Sequence, residues 1–314
     1  MEQKELYKKV DEKVGNYLLR MQNEDPFLYH NMENVYATIE NAQIPNSKDF
    51  VQGALPYVPI VSSLSAAADF LGECCPEYKE VLWKKYRDSE LIITYGRDNR
   101  IFYNYKLNRS KIFIQPEETL CDAMNIIHEV FHETNNSRLF FRQVFTETVS
   151  IASELLFLEK LEDSGYSKVN TNLLAQTRGI DYIKGLRHLK WMLALFINKK
   201  RNVKIDENIY DKLHNLSQMS SEKIERNLNI FLMTDITELE RYKYVIGYVL
   251  AKSFVSQNHS LEELAELSNT LKEGNIGKFY DMTFGIYNNP VTIASVVTKD
   301  EFSYHDTPHV KILK

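Results

Sequence analysis

The sequence contains little glycine, proline and cysteine. Its 314 residues include 11 Gly and 8 Pro, where average composition would give roughly 22 and 16. Because β-sandwiches and barrels need many turns, this shortage disfavours both classes and favours long helices. The three cysteines include the adjacent Cys74 and Cys75, which pair only with strain, so no disulfide framework is expected. This usage fits a reducing compartment.

Strong charge of one sign and long hydrophobic runs are also missing. Lys and Arg number 38 against 43 Asp and Glu, which gives a net charge of −5, so nucleic acid is not an expected partner. The N-terminus is a charged amphipathic stretch without the apolar core of a signal peptide, and no run approaches the roughly 20 apolar residues of a membrane span. We therefore expect a cytoplasmic protein without a membrane partner. Export by a non-classical route and the oligomeric state stay open.

The pattern of apolar residues predicts a mainly α fold. Leu6, Val10, Val14 and Leu18 recur at helical spacing, and the same period returns over most of the chain. The stretch 91–114 differs, because LIITY, RIFYNY and KIFI are rich in β-branched and aromatic residues and are separated by turn-forming ones. It predicts a small antiparallel β-sheet. From residue 288 onwards the sequence favours a strand or an extended tail.

One helical segment, which begins near Thr119, carries a chemical motif. His128-Glu129-Val130-Phe131-His132 matches H-E-x-x-H. Residues four apart lie on one face of a helix, so both imidazoles can face one cation, and Glu129 can reach a water on that cation. Apolar neighbours such as Ile126 and Ile127 indicate a buried helix rather than an ordinary polar helix face, which is the alternative.

A second helical segment, FTETVSIASE over residues 145–154, offers carboxylates. Glu147, Ser150 and Glu154 share one helical face, at spacings of three and seven. A carboxylate from this face would complete a His-His-Glu zinc site and leave a fourth position for water, as a catalytic zinc requires. The alternative is a solvated acidic face.

Three blocks of the sequence resemble the catalytic half of oligoendopeptidase F and the related thimet-oligopeptidase-like zinc peptidases. KIFIQPEETLCDAMNIIHEVFH is similar to the family's edge strand and the H-E-x-x-H helix after it, FTETVSIASE to its metal-glutamate helix, and YKYVIGYVLAKSF to its tyrosine-rich C-terminal block. The resemblance implies a zincin-type helical metallopeptidase domain. We expect this domain over residues 61–314, after an N-terminal helical segment over 1–60, or one continuous domain over 1–314.

The resemblance also implies roles for individual residues. His128, His132 and Glu147 would bind one Zn²⁺, and Glu129 would be the general base. Glu154 would not bind the metal but would lie next to a metal ligand and orient it. The implied reaction is hydrolysis of peptide bonds, in oligopeptides or in one dedicated protein substrate, by a zinc-activated water.

Four further residues are candidates around this centre. Asp122, three residues after Thr119, either supports the metal site or closes a capping box at the start of the helix. Oxyanion charge needs a hydrogen-bond donor, and Tyr244 matches by register, with Tyr242 and Tyr248 as alternates. Since the chain has 19 tyrosines, packing in the core is the alternative for each of them.

The sequence departs from the family where the family has an active-site histidine. Residues 225–241 contain no histidine, and Thr234 lies near its place. Two further hypotheses therefore stay open: a catalytically impaired, zinc-containing peptide-binding or regulatory protein, and an exported effector protease. The expected partner is a peptide or an unfolded protein segment. The strand Lys111–Ile114 is either the edge to which such a peptide adds or an ordinary strand inside the sheet.

Overall fold

Helices make up most of the structure, a computed structural model that describes residues 3–24, 26, 29, 30, 32, 33, 36, 53–96, 98–104, 109–135, 140–206, 208–217, 219–233 and 241–284. The described helices are α1 (Gln3–Glu24), α2 (Ile60–Cys74), α3 (Pro76–Arg87), α4 (Cys121–Thr134), α5 (Phe140–Asp163), α6 (Lys168–Lys200), α7 (Ile209–Ser217), α8 (Ser221–Met233), α9 (Arg241–Val255), α10 (Leu261–Lys272) and α11 (Ile276–Phe284). The described strands are β1 (Leu91–Ile93), β2 (Arg100–Asn104) and β3 (Arg109–Ile114). The mainly α prediction is confirmed.

The three strands form one mixed sheet in the order β1-β3-β2. β2 pairs antiparallel with β3, with Phe102 opposite Lys111, whereas β1 pairs parallel with β3, with Leu91 opposite Ile112. The sheet lies where the sequence predicted it, but the expectation of purely antiparallel pairing was wrong for β1. The chain passes from β1 to the far edge at β2 and then returns through β3, so β1 and β3 run in the same direction.

The central strand of this sheet is β3. Of the two alternatives for Lys111–Ile114, the structure therefore shows the ordinary strand inside the sheet, and β1 and β2 are the two edges of the described sheet. Ile112, Phe113 and Ile114 are all buried. Such a continuous apolar run is typical of a strand covered on both faces and paired on both sides.

The N-terminal part is helical as far as it is described. Leu6, Val10, Val14 and Leu18 are buried and belong to the same hydrophobic core as α4, α5 and α9. The described positions between 26 and 36 are also helical, whereas 53–59 form no regular structure. The predicted strand or tail after residue 288 lies outside the described residues. None of the described helices has the length and apolar character needed to cross a bilayer.

The helix with the H-E-x-x-H motif is the most buried element. Every residue from Cys121 to Phe131 is buried, and α4 packs against α2, α5 and β3. A buried helix must pair its polar side chains, because an unpaired polar group costs free energy away from water. The arrangement of these polar groups defines the candidate site.

Candidate metal centre

His128, His132 and Glu147 bring three ligand atoms together between α4 and α5. Nε2 of His128 lies 2.9 Å from Nε2 of His132, and Oε2 of Glu147 lies 3.2 Å from His132 Nε2 and 3.4 Å from His128 Nε2. Ligand atoms 2.0–2.1 Å from a tetrahedral zinc are separated by about 3.3–3.4 Å. The three atoms therefore form a triangle close in size to one face of such a tetrahedron, and the donor set fits zinc.

Glu154 lies directly behind His128. Its Oε1 is 2.6 Å from Nδ1 of His128, so we assign the Nδ1–H as the donor to this carboxylate. Nε2 of the same ring faces His132 and Glu147, and in the neutral ring it carries the lone pair that a metal would take. Hydrogen bonding of this kind fixes the tautomer and orientation of a metal-binding histidine. Glu147 and Glu154 reach this position from one face of α5, at the spacing of seven seen in the sequence.

The pocket stabilises positive charge. The side chains of Glu147 and Glu154 are each 2% exposed and that of His128 is 9% exposed, and Glu129 is buried beside them. Burial disfavours the charged form of His128, yet hydrogen bonds and charge from Glu147 and Glu154 outweigh it and raise the pKa of His128 to about 10. The buried carboxylates of Glu147 and Glu154 carry negative charge that a divalent cation would neutralise.

The same pairing acts on the carboxylate ligand. Burial opposes the ionisation of Glu147, but the charges and hydrogen bonds of His132 and His128 hold its pKa far below the usual range. Glu147 is therefore an anion throughout the physiological range. An ionised carboxylate is the form that binds a metal.

Glu129 and Asp122 lie at different parts of α4. Glu129 is buried, and along α4 it follows His128 and precedes His132. Asp122 accepts hydrogen bonds from the backbone N–H of Glu117 at 2.7 Å and of Glu118 at 3.0 Å. These bonds close the loop before α4. The start of the helix has no side-chain cap hydrogen bond, so the capping-box alternative is not observed. Support of the metal site by Asp122 stays a prediction.

α9 meets α5 directly beside the candidate ligand Glu147. A Cβ on Gly247 would lie 3.0 Å from Cβ of Glu147 and 3.1 Å from the backbone nitrogen of Thr148. The two helices approach this closely because Gly247 has no side chain. Sequence analysis missed this residue, although a glycine inside a helical pattern is a known sign of close packing.

The tyrosines of α9 fall into two environments. Tyr248 is 5% exposed, and its burial, together with the charge of Glu154, raises its pKa well above the usual range. Tyr244 lies about one turn before Gly247 and is 41% exposed to solvent. The side chain of Tyr242, like the whole of Thr234, lies outside the described residues.

A buried ionic network holds the end of α4 that carries His132. Nζ of Lys85 on α3 donates to Glu90 Oε2 at 3.0 Å and to the carbonyl oxygen and hydroxyl of Ser110 at 2.8 and 2.7 Å. It also lies 3.0 Å from Oε1 of Glu133, the residue after His132. The network therefore ties α4 to β3 and α3.

A second polar network fixes the next turn. The side-chain amide of Asn135 donates to the hydroxyl of Ser268 at 2.8 Å, and the hydroxyl of Tyr78 donates to the same oxygen at 2.6 Å. The ring of Tyr78 packs edge-on against Phe131, with 4.8 Å between the ring centroids. Neither network was visible in the sequence, because their members are far apart along the chain.

Comparison with known proteins gives the fold and no family. The sequence matches no protein-family model and no curated protein. Its structure is similar to a solved structure from Chlamydophila abortus that is described as a "putative peptidase", with a TM-score of 0.53 and 16% sequence identity. The match covers 92% of this chain and 53% of that one, so this chain spans about half the length of that structure.

Proposed function

We propose that this chain is a zinc-dependent metallopeptidase. The observation that carries the proposal is the buried triangle of His128, His132 and Glu147, with Glu129 on the same helix as both histidines and Glu154 behind His128. The fold similarity to a structure described as a peptidase supports it, and so does the sequence resemblance to oligoendopeptidase F. Two imidazole nitrogens and one carboxylate oxygen suit zinc better than magnesium or calcium.

Each residue of the centre has a distinct part in the proposed reaction. A zinc ion bound by the three ligands would supply Lewis-acid polarisation of the scissile carbonyl and of a water. Glu129 takes a proton from the attacking water and passes it to the leaving amine, as general base and then general acid. Glu154 keeps His128 in the binding tautomer. Tyr244, accessible on α9, donates a hydrogen bond to the oxyanion.

A second candidate is a zinc-containing peptide-binding protein with impaired catalysis. It is favoured by the absence of histidine from residues 225–241, where the resembled family has its active-site histidine. A peptide is the expected ligand in both cases.

Cleavage of a peptide library separates the two candidates. The purified protein is incubated with mixed peptides, with and without a zinc chelator, and the products are identified by mass spectrometry. We expect cuts that the chelator abolishes and that Glu129→Gln slows by about 10²–10⁴-fold, while zinc content is unchanged. Asp163→Asn, the same chemical change at an exposed position of α5, is the matched control and should cut normally.

Two outcomes would overturn the peptidase proposal. If Glu129→Gln cuts as fast as the unmodified protein, the cleavage does not come from this centre. If zinc is bound and peptides bind but none is cut, the chain is the peptide-binding protein of the second candidate.

A further inference from the structure

The face of α4 that carries the candidate ligands continues one turn towards the start of the helix. Asn125 precedes His128 by three residues and Glu129 by four, so it lies on the same face. Because an α-helix rises about 1.5 Å per residue, Asn125 is roughly 4.5 Å from His128 along the helix axis. Its sequence neighbours Met124 and Ile126 are fully buried apolar residues. A polar side chain at position 125 is therefore an exception in this part of the helix.

Asn125 has a buried oxygen without a hydrogen-bond partner. The residue is 1% exposed, and its amide nitrogen donates to Oε1 of Glu117 at 3.4 Å. Because an ionised carboxylate only accepts hydrogen bonds, the nitrogen faces Glu117 and the unpaired atom is Oδ1. An unpaired carbonyl oxygen away from water costs free energy, and most buried polar groups in folded proteins are paired. A ligand that brings its own donor would explain why this oxygen is kept.

The loop before α4 places acidic groups next to Asn125. The backbone N–H of Glu117 donates to Oδ1 of Asp122 at 2.7 Å, and that of Glu118 donates to Oδ2 of Asp122 at 3.0 Å. These two bonds hold the loop against the helix, and we call Glu117, Asp122 and Asn125 the acceptor corner. Asp122 is buried and both of its oxygens are already paired, whereas Glu117 is exposed. A ligand would therefore meet the carboxylate of Glu117 and the free oxygen of Asn125.

No cation pairs with the acceptor corner in the part of the chain that the structure describes. Between Lys111 and Arg138 the sequence has five acidic residues and no lysine or arginine. A carboxylate next to an amide oxygen, both of them acceptors, complements a positively charged group with several N–H donors. The groups of this kind in a peptide are the side chains of lysine and arginine and the free α-amino group.

We infer that the acceptor corner binds a cationic group of a peptide, with the carboxylate of Glu117 as the counter-charge and Oδ1 of Asn125 as a hydrogen-bond acceptor. The inference rests on the proposed function, because it places the peptide at the metal centre, but binding does not need catalysis. An extended peptide advances about 3.3 Å per residue, so the cation belongs to a residue within about two positions of the cleaved bond. It is a Lys or Arg side chain, or the α-amino group of a peptide that is cut near its N-terminus.

The cation reaches Asn125 from the exposed side of the corner. Glu117 is the exposed member, and its contact with the amide of Asn125 is long, at 3.4 Å. Turning the Glu117 side chain towards the ligand therefore gives up one weak hydrogen bond. The bound cation replaces it with a charge-assisted contact to Glu117 and a hydrogen bond to the free oxygen of Asn125.

Binding of labelled peptides by fluorescence anisotropy tests this inference. The zinc-treated full chain with Glu129→Gln, which slows cleavage, is titrated with a neutral N-acetylated peptide that has lysine at its centre. The comparison peptide has norleucine there, which keeps the aliphatic stem and lacks the ammonium. A third peptide has norleucine and a free N-terminus. We expect the lysine peptide, the free-N-terminus peptide or both to bind at least about tenfold more tightly than the acetylated norleucine peptide, and this comparison identifies the source of the cation.

Variants of the corner locate the binding site. In the Glu129→Gln chain, Glu117→Gln and Asn125→Leu should each reduce the tenfold preference to about threefold or less. Glu118→Gln is the matched control, because it removes the adjacent exposed carboxylate, which accepts from the hydroxyl of Tyr95 at 3.3 Å, and it should keep the preference within about twofold. Asn125→Leu should also keep or raise the midpoint of chemical denaturation, since it removes an unpaired buried oxygen. A structural role for the amide predicts a lower midpoint instead.

The outcomes distinguish this inference from the proposed function. If the unmodified chain cuts peptides but neither lysine nor a free N-terminus improves binding, the peptidase proposal stands and the inference is overturned. If cationic peptides bind in a way that depends on Glu117 and Asn125 but none is cut, the inference stands and the peptidase proposal fails. A preference for cations that survives both Glu117→Gln and Asn125→Leu, or a clear fall in stability on Asn125→Leu, also overturns the inference.

Discussion

Replacing Glu154 by Gln removes the charge behind His128 and keeps the size of the side chain. The 2.6 Å contact between Oε1 of Glu154 and Nδ1 of His128 is charge-assisted and buried, and such bonds are about twice as strong as neutral ones. The amide can still accept the Nδ1–H, but it no longer makes Nε2 more electron-rich. Loss of a carboxylate behind a metal-binding histidine lowers metal affinity by about 10–100-fold, which corresponds to roughly 1.4–2.7 kcal/mol.

Competition for zinc against a chromophoric chelator measures this change. The dissociation constant of Glu154→Gln is compared with that of the unmodified protein and of Asp163→Asn, which loses an exposed carboxylate on the same helix. We expect Asp163→Asn to bind zinc normally. If Glu154→Gln binds zinc as tightly as the unmodified protein, Glu154 does not orient a metal ligand and the assigned arrangement is wrong.

Three further perturbations probe the surroundings of the centre. Gly247→Ala should destabilise the fold by about 1–3 kcal/mol in chemical denaturation, because the new Cβ would meet the backbone of α5. Gly15→Ala is the control: its Cβ would meet only the flexible end of a lysine side chain, so it should be neutral or stabilising. In chelator-treated protein, His128 stabilises the fold through its raised pKa of about 10. This contribution is complete below pH 6.5 and is lost as the pH rises towards about 10. The difference in unfolding free energy between the unmodified protein and His128→Gln should therefore shrink over this pH range and not grow. Lys85→Met leaves the buried Glu90 and the partly buried Glu133 without their cation, so we expect a loss of about 3–5 kcal/mol in unfolding free energy. A loss below about 1 kcal/mol in the same assay would contradict the role of the network.

The sequence predicted which residues form the candidate centre, because their grouping depends on helical periodicity. A spacing of four brings His128 and His132 onto one face, and a spacing of seven does the same for Glu147 and Glu154. Only the meeting of the two helices had to be supplied by tertiary structure. The structure brings all four residues together as those spacings indicated.

The remaining features depend on contacts that periodicity does not encode. A strand pattern shows how side chains alternate between the two faces, but it does not identify the neighbouring strands. The sequence therefore left open whether β3 is an edge strand or, as the structure shows, the central one. Gly247 and Lys85 act through residues about 100 and up to 48 positions away in sequence. The sequence also could not show which tyrosines of α9 are accessible, because this depends on how α9 packs: Tyr248 is buried and Tyr244 is exposed.

The zinc content of the chain, measured by native mass spectrometry, shows whether the three residues form a metal centre. After exchange into zinc-containing buffer and removal of free metal, we expect one zinc per chain in the unmodified protein and in Glu129→Gln. We expect none in His132→Ala and Glu147→Ala variants that remain folded by circular dichroism. Equal zinc content in all four proteins, or none in any of them, would contradict the assignment of His128, His132 and Glu147 as a metal centre.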